Sequence, residues 1–235
     1  MSLLEEFALL AHDDRGARII DTTRLDHGLG GAVLMELALN ERIDIDDKEV
    51  VILNRDPTGD PVVDEALIKI GDDSRPRKAS HWVSKFVSGI RKAVLDRLVA
   101  AEVLRAERST VLLIFPRTRY PSAYGTEPPA RSDALQRMRG AILRSGPVEP
   151  RTGALCALVA STGMDRKLFA DLDRKQVKAR LAEITEGDWA GEAVRKTIQI
   201  VQMAVTISVV ADGGSGGGDG GGGGGGDGGG GGGGS

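Results

Sequence analysis

The chain has 235 residues, and 19 of its 33 glycines fall in 213–235, so the 212 residues before that run must supply the fold; they suit one domain. Aromatic residues are only 3% of the chain, too few for a base- or sugar-stacking surface, and a single cysteine excludes an internal disulfide framework. The net charge of −3 hides an asymmetry: residues 1–74 hold 7 Lys/Arg against 18 Asp/Glu, residues 75–151 hold 16 against 6, and residues 152–235 hold 8 against 10.

Ser2 with Glu5 three residues on makes a capping box, followed by Leu3, Leu4, Phe7, Leu10 and Ala11 at helical spacing, so the first helix runs to about Asp13. A second helix is predicted from Leu25 to Leu39, where Gly28, Gly30 and Gly31 allow close packing. Arg42–Asp46 alternates with period two, and Val50–Leu53 answers it across Asp46-Asp47, which predicts a β-hairpin. Asp56-Pro57-Thr58-Gly59-Asp60 reads as a tight turn, with Asp60 capping a helix that opens on Pro61. From Lys78 to Ala101 apolar residues recur every three to four positions, a long amphipathic helix with a bend expected at Ser88-Gly89. Glu102-Val103-Leu104 and Val111–Phe115 predict a second hairpin around Arg105–Thr110, and Pro116–Tyr124 reads as a loop of arginines and both tyrosines. Helices are expected over Asp133–Arg144, Thr152–Ser161, Leu168–Ile184 and Trp189–Val210. The expected class is mainly α: a single helical domain over residues 1–211 with two β-hairpins, and a disordered Gly-rich tail over 212–235 that has no apolar surface to bury.

The N-terminal Met1-Ser2-Leu3-Leu4-Glu5-Glu6 lacks the basic region and cleavage site of a signal peptide. The longest charge-free apolar stretch, Thr197–Ala211, has 15 residues, short of the roughly 18 to 20 that a spanning helix needs, and reads as a buried core helix. These features predict a cytoplasmic protein that touches membranes only peripherally. His12, His27 and His81 stand in no metal-ligand spacing with each other or with Cys156, so no metal or other cofactor is expected. Cys156, between Ala154-Leu155 and Ala157-Leu158, reads as a buried thiol of raised pKa.

The cationic middle third consists mostly of arginines, whose planar fork suits phosphate. Two readings stand: its arginines gather into one outward positive surface for a phosphate-bearing partner, or this third folds against the acidic first third and is neutralised within the domain. The tyrosine–arginine loop fits a lipid–water boundary or an ordinary surface loop. A helix followed by a hairpin with arginines also fits a winged-helix module for nucleic acid, although the net acidity makes that partner unlikely. A helical protein-interaction scaffold is the third reading.

The segments Gly28-Leu29-Gly30-Gly31-Ala32-Val33-Leu34-Met35-Glu36-Leu37-Ala38-Leu39 and Asp56-Pro57-Thr58-Gly59-Asp60 with Asp64-Glu65-Ala66-Leu67, followed by Arg91–Leu104 and the apolar last helix, resemble the Golgi phosphoprotein 3 family over residues 3–210, its bacterial-type members included. The resemblance implies a mostly helical, non-enzymatic domain that docks peripherally on membranes, reads the headgroup of phosphatidylinositol 4-phosphate and engages protein clients. Of the family's headgroup pocket, one arginine falls on Arg91; the tryptophan position is Asp21, and the other arginine positions are Gly30 and Ser88. The ligand-binding residues so implied are Arg91 and its neighbour Lys92, with Arg24 near the replaced positions. The family's membrane-inserting hairpin corresponds to Val111–Tyr124, which makes Phe115, Arg117, Arg119 and Tyr120 the membrane-contact candidates.

Overall fold

The computed structural model describes residues 1–111, 115–186 and 192–213, and the side chains among them except 109–111, 115–117, 192–193 and 212–213. Helix α1 (Leu3–Leu10) begins at Ser2: its hydroxyl accepts the Glu5 N–H, and the Glu5 carboxylate accepts the Ser2 N–H at 3.0 Å. Helix α2 (Thr22–Leu39) starts three residues before the apolar pattern does, because Asp21 caps it, accepting the Arg24 N–H at 2.8 Å. From Leu25 to Ala38 every residue of α2 is buried, so this is the central helix of the bundle.

Strands β1 (Ile43–Asp46) and β2 (Glu49–Ile52) form the first hairpin in the expected place, and Asp47 and Lys48 turn it with positive φ of 42° and 70°. A third strand, β3 (Arg77–Lys78), extends β2 antiparallel; two residues leading into a helix carry no strand signal of their own. Helix α3 (Pro61–Gly71) has Asp60 as cap and Pro61 in its first turn. Helix α4 (Ala79–Ala100) is broken where the bend was expected, at Ser88 (ψ 115°) and Gly89 (φ 80°), so its two halves take different directions.

The second hairpin differs from expectation. Strands β4 (Glu107–Val111) and β5 (Phe115–Arg119) pair antiparallel from Glu107↔Arg119 to Val111↔Phe115. Arg105–Thr110, expected as the turn, is thus largely strand, and much of the expected loop after Phe115 is strand too. The segment 105–110 contains no Gly, Pro, Asn or Asp to reverse the chain. Leu104 makes only an isolated bridge with Ser122. Leu112, Leu113 and Ile114 lie outside the described residues.

Helices α5 (Pro129–Leu143), α6 (Pro150–Ser161), α7 (Asp165–Leu168), α8 (Arg174–Glu186) and α9 (Glu192–Gly213) complete the mainly helical fold. The single helix expected over Leu168–Ile184 is two: Phe169 leaves helical geometry, and Asp173 restarts the chain by accepting the Gln176 N–H at 2.8 Å. Helices α1, α4, α6 and α9 pack around α2. Among the described residues α9 is long and apolar enough to cross a bilayer, and only a third of Val194–Ala211 is buried: Ile198, Val201, Ala204 and Val205 face the core while Met203, Ile207 and Val210 are exposed, so the expected buried core helix is buried along one side alone. The Gly-rich tail beyond Gly213 lies outside the described residues. Cys156 is fully buried, and burial pushes its thiol up to about 12, which leaves a poor nucleophile at neutral pH.

His12, just after α1, yields a pH prediction. Burial pushes its imidazole below the ordinary value of 6.5, with Arg18 and Arg131 acting in the same sense and the Ala8 carbonyl, 2.8 Å from Nδ1, against it; Nε2 is buried without a partner. The folded state therefore takes up a proton less readily than the unfolded chain. Stability is complete above the unfolded value and falls as pH drops through it towards the lower folded value. Urea midpoints at about pH 7.5 and about pH 5.5 should show this fall, and His12→Gln should flatten it. An equal fall in the variant would refute the assignment.

Candidate functional site

The structure decides between the two readings of the charge asymmetry. Arg91 bonds Asp26, Arg97 bonds Glu5 and Asp60, Arg137 and Arg151 both bond Glu6, Arg151 also reaches Glu36, Arg131 reaches Asp14, and Arg77 bonds Asp73. Every one of those carboxylates belongs to residues 1–74. The basic third folds against the acidic first third, so the expectation that its arginines gather into one outward surface is corrected. These bonds join α4, α5 and α6 to α1 and α2 and hold the bundle together.

What remains at the surface depends on which guanidinium nitrogens stay unused. Arg91, on the second half of α4, places Nη1 2.9 and 2.8 Å from the two Asp26 oxygens, while its Nε and Nη2 have no partner among the described residues. Its side chain is 34% exposed, so those donors face water. Burial pushes the Asp26 carboxyl up, against the opposing pull of Arg91, Arg18 and His27. Arg18, in the turn before α2, hydrogen-bonds the Thr22 hydroxyl. Lys92 pairs with Asp96. Tyr120 is half-buried, edge-on to His12 at 5.9 Å between ring centres, with its N–H on the Gly16 carbonyl at 2.9 Å. Asp26 thus ties Arg91 of α4 to the start of α2, with Arg18 close enough for its charge to act on the same carboxylate and Lys92 next to Arg91 in the sequence. Nothing in the sequence pattern singles out Arg18, which arrives through an irregular turn.

Arg24 is not part of this group. It pairs with Asp21 at 3.1 Å and sends Nη1 to the Thr162 carbonyl at the end of α6. Two residues apart on a helix, Arg24 and Asp26 point to nearly opposite sides, so the structure splits the predicted ligand residues across the start of α2. Arg119 lies on β5 with Nε buried and unpartnered. The side chains of Phe115 and Arg117 lie outside the described ones.

Asp21, Ser88 and Gly30, the positions at which the resemblance implies other residues, each sit at a defined place in the fold. Asp21 is the cap of α2. Ser88 sits at the break in α4. Gly30 lies against α4 so closely that a Cβ there would stand 2.5 Å from the Val83 carbonyl oxygen. Exchanging Asp21 would remove a cap and exchanging Gly30 would force a helix contact apart, whereas Ser88 is exposed in extended backbone that other residues also adopt, the bend resting on the positive φ of Gly89.

These features define a mainly helical bundle; among the described residues no cluster of His, Cys, Asp and Glu is placed to hold a metal ion. The model of the Golgi phosphoprotein 3 (GPP34) family matches residues 3–201, and the chain belongs to that family.

Proposed function

We propose that this chain is a non-enzymatic peripheral membrane protein that binds anionic lipid headgroups at the end of the bundle where α2 begins. The observation that carries the reading is Arg91, held rigidly through one nitrogen by Asp26 while Nε and Nη2 stay open to water. An oriented guanidinium with two free donors suits a phosphate oxygen. Lys92 and Arg18 add local charge, and the β4–β5 ribbon, carrying Phe115, Arg117 and Arg119 and tethered through Tyr120, would contact the same bilayer. The ligand is an anionic headgroup in general rather than phosphatidylinositol 4-phosphate in particular, because Asp21, Gly30 and Ser88 replace that pocket's other residues.

Asp26 competes with the lipid for Arg91. Asp26→Asn should therefore strengthen binding to phosphatidylcholine vesicles containing phosphatidylserine by about fivefold, and Arg91→Gln should weaken it by about as much, on the basis of about 1 kcal/mol per charge at a membrane surface. Co-sedimentation at low and high salt reads both. Binding that is equal on neutral vesicles, or that favours duplex DNA and disappears with substitution of Arg117 and Arg119, would overturn the reading.

A further inference from the structure

A second concentration of positive charge lies outside the middle third and away from Arg91. Between residues 163 and 182 stand Arg166, Lys167, Arg174, Lys175, Lys178 and Arg180 against Asp165, Asp171 and Asp173. Asp171 is engaged with Arg139 at 2.6 Å, Asp173 caps α8, and Arg180 bonds Glu183 and two carbonyls. The other five cations are exposed, and their side chains make no hydrogen bond or ion pair among the described residues. This contrasts with residues 75–151, where most arginines are anchored on carboxylates.

Three of the five, Arg166, Arg174 and Lys178, line a groove of about 350 Å³ between α6, α7, α8 and α9. Asp165 and Glu186 also line it, yet neither pairs with any of them. One side of the groove is formed just past the end of α6, where Gly163 (φ 67°) turns the chain, the Met164 N–H returns to the Val159 carbonyl and the Gly163 N–H to Ala160, so the last carbonyls of α6 are satisfied internally. Arg24 borders the same place, with Nη1 3.1 Å from where a Gly163 Cβ would stand. The start of α8 adds the positive end of a 13-residue helix.

The groove opens beside apolar surface. Gln202 of α9 lines it, and Met203, Ile207 and Val210, spaced i, i+4, i+7, are 55%, 62% and 69% exposed. Helix α9 runs antiparallel to α2, with Thr197 bonded to Asp44 near the end of α2 and Val205 against Gly31. Its exposed half therefore lies at the same end of the bundle as Arg24 and Asp26. A cationic groove beside an apolar helical stripe is the pattern of an interfacial membrane contact.

We propose that the α6–α9 groove is a second phosphate-binding site, and that it seats the headgroup of an anionic phospholipid while Met203, Ile207 and Val210 rest at the acyl boundary. This inference rests on the reading of the protein as a peripheral lipid binder and assigns it a second contact face. The test compares wild type, the triple variant Arg166→Gln/Arg174→Gln/Lys178→Gln and Arg91→Gln on phosphatidylcholine vesicles with and without phosphatidylserine. Arg166, Arg174 and Lys178 are exposed while Arg91 is half-buried against Asp26, and far-UV circular dichroism checks the folding of both variants. The triple variant should bind anionic vesicles about a hundredfold more weakly, the product of about fivefold for each charge. A triple variant that binds like wild type, while Arg91→Gln loses affinity, overturns this inference alone. Wild type that ignores anionic vesicles overturns the lipid reading as well. Amide shifts at Gly163 and Arg174 on titration with inorganic phosphate, without vesicle binding, would make the groove a site for a soluble phosphate compound and overturn the membrane assignment.

Discussion

Gly30→Ala should destabilise the fold by about 3 kcal/mol, the upper part of the range for overpacking a filled core. The added methyl would stand 2.5 Å from the Val83 carbonyl oxygen and 3.3 Å from its carbon, both main-chain atoms of α4. A side chain in that position could rotate away; a helix backbone cannot. Val83 is itself fully buried and α2 is buried along its length, so relief requires α4 to move as a unit against the core. Gly30→Arg, a far larger side chain against the same main-chain atoms, should yield no folded protein. Gly140→Ala is the control: a Cβ there meets nothing within 4 Å, so replacing a mid-helix glycine should stabilise by roughly 0.5 to 1 kcal/mol. Urea unfolding with an unchanged slope reads the two alanine variants, and far-UV circular dichroism reads Gly30→Arg. A Gly30→Ala protein within about 0.5 kcal/mol of wild type would show that α4 yields, and would reopen Gly30 as a replaceable pocket position.

The features that could be read in the sequence are those whose cause is local. Ser2 with Glu5, Asp60 with Pro61, and the Ser88-Gly89 break each depend on a few consecutive residues, and each lies where those residues put it. The family segments around Met35–Leu39 and Pro57–Asp60 were equally legible. The β4–β5 register was not, because Val111–Phe115 is apolar enough to look like a strand while the polar segment before it supplies the actual pairing. The break between α7 and α8 was hidden by an apolar pattern that continues across it. Charge was the least legible. Counting by thirds located the arginines but could not say that Arg97 would meet Glu5 and Asp60, or Arg151 meet Glu6 and Glu36, from opposite ends of the sequence. The same counting passed over the segment 163–182, whose excess of cations is offset by acids elsewhere in the last third. For the candidate site, Arg91 was found through its motif; Asp26, which holds it, and Arg18, beside it, depended on the fold.

Glu6→Ala should be the most damaging of the charge substitutions, with a loss of about 3 kcal/mol. The Glu6 side chain is 9% exposed and its Oε1 takes Arg137 Nη2 at 3.0 Å and Arg151 Nε at 3.4 Å, so one carboxylate of α1 holds the first residues of α6 and the middle of α5. Removing it leaves two partly buried guanidiniums facing each other. The loss stays at the lower end of the range for a broken buried pair because both arginines remain about a quarter exposed. Both also keep other partners: Asp133 and the Thr152 hydroxyl at 2.8 Å for Arg137, Glu36 and the Met1 carbonyl for Arg151. Glu6→Gln preserves shape but removes the charge, and should fall between wild type and alanine. Combining Glu6→Ala with Arg151→Ala separates the bond from mere loss of atoms: if the carboxylate acts through the arginine, the double variant loses clearly less than the two single losses added together. Strict additivity in urea unfolding, both here and in the same cycle with Arg137→Ala, would mean that Glu6 stabilises α1 by packing alone. The pairing of the acidic and basic thirds would then be a consequence of the fold rather than one of its causes.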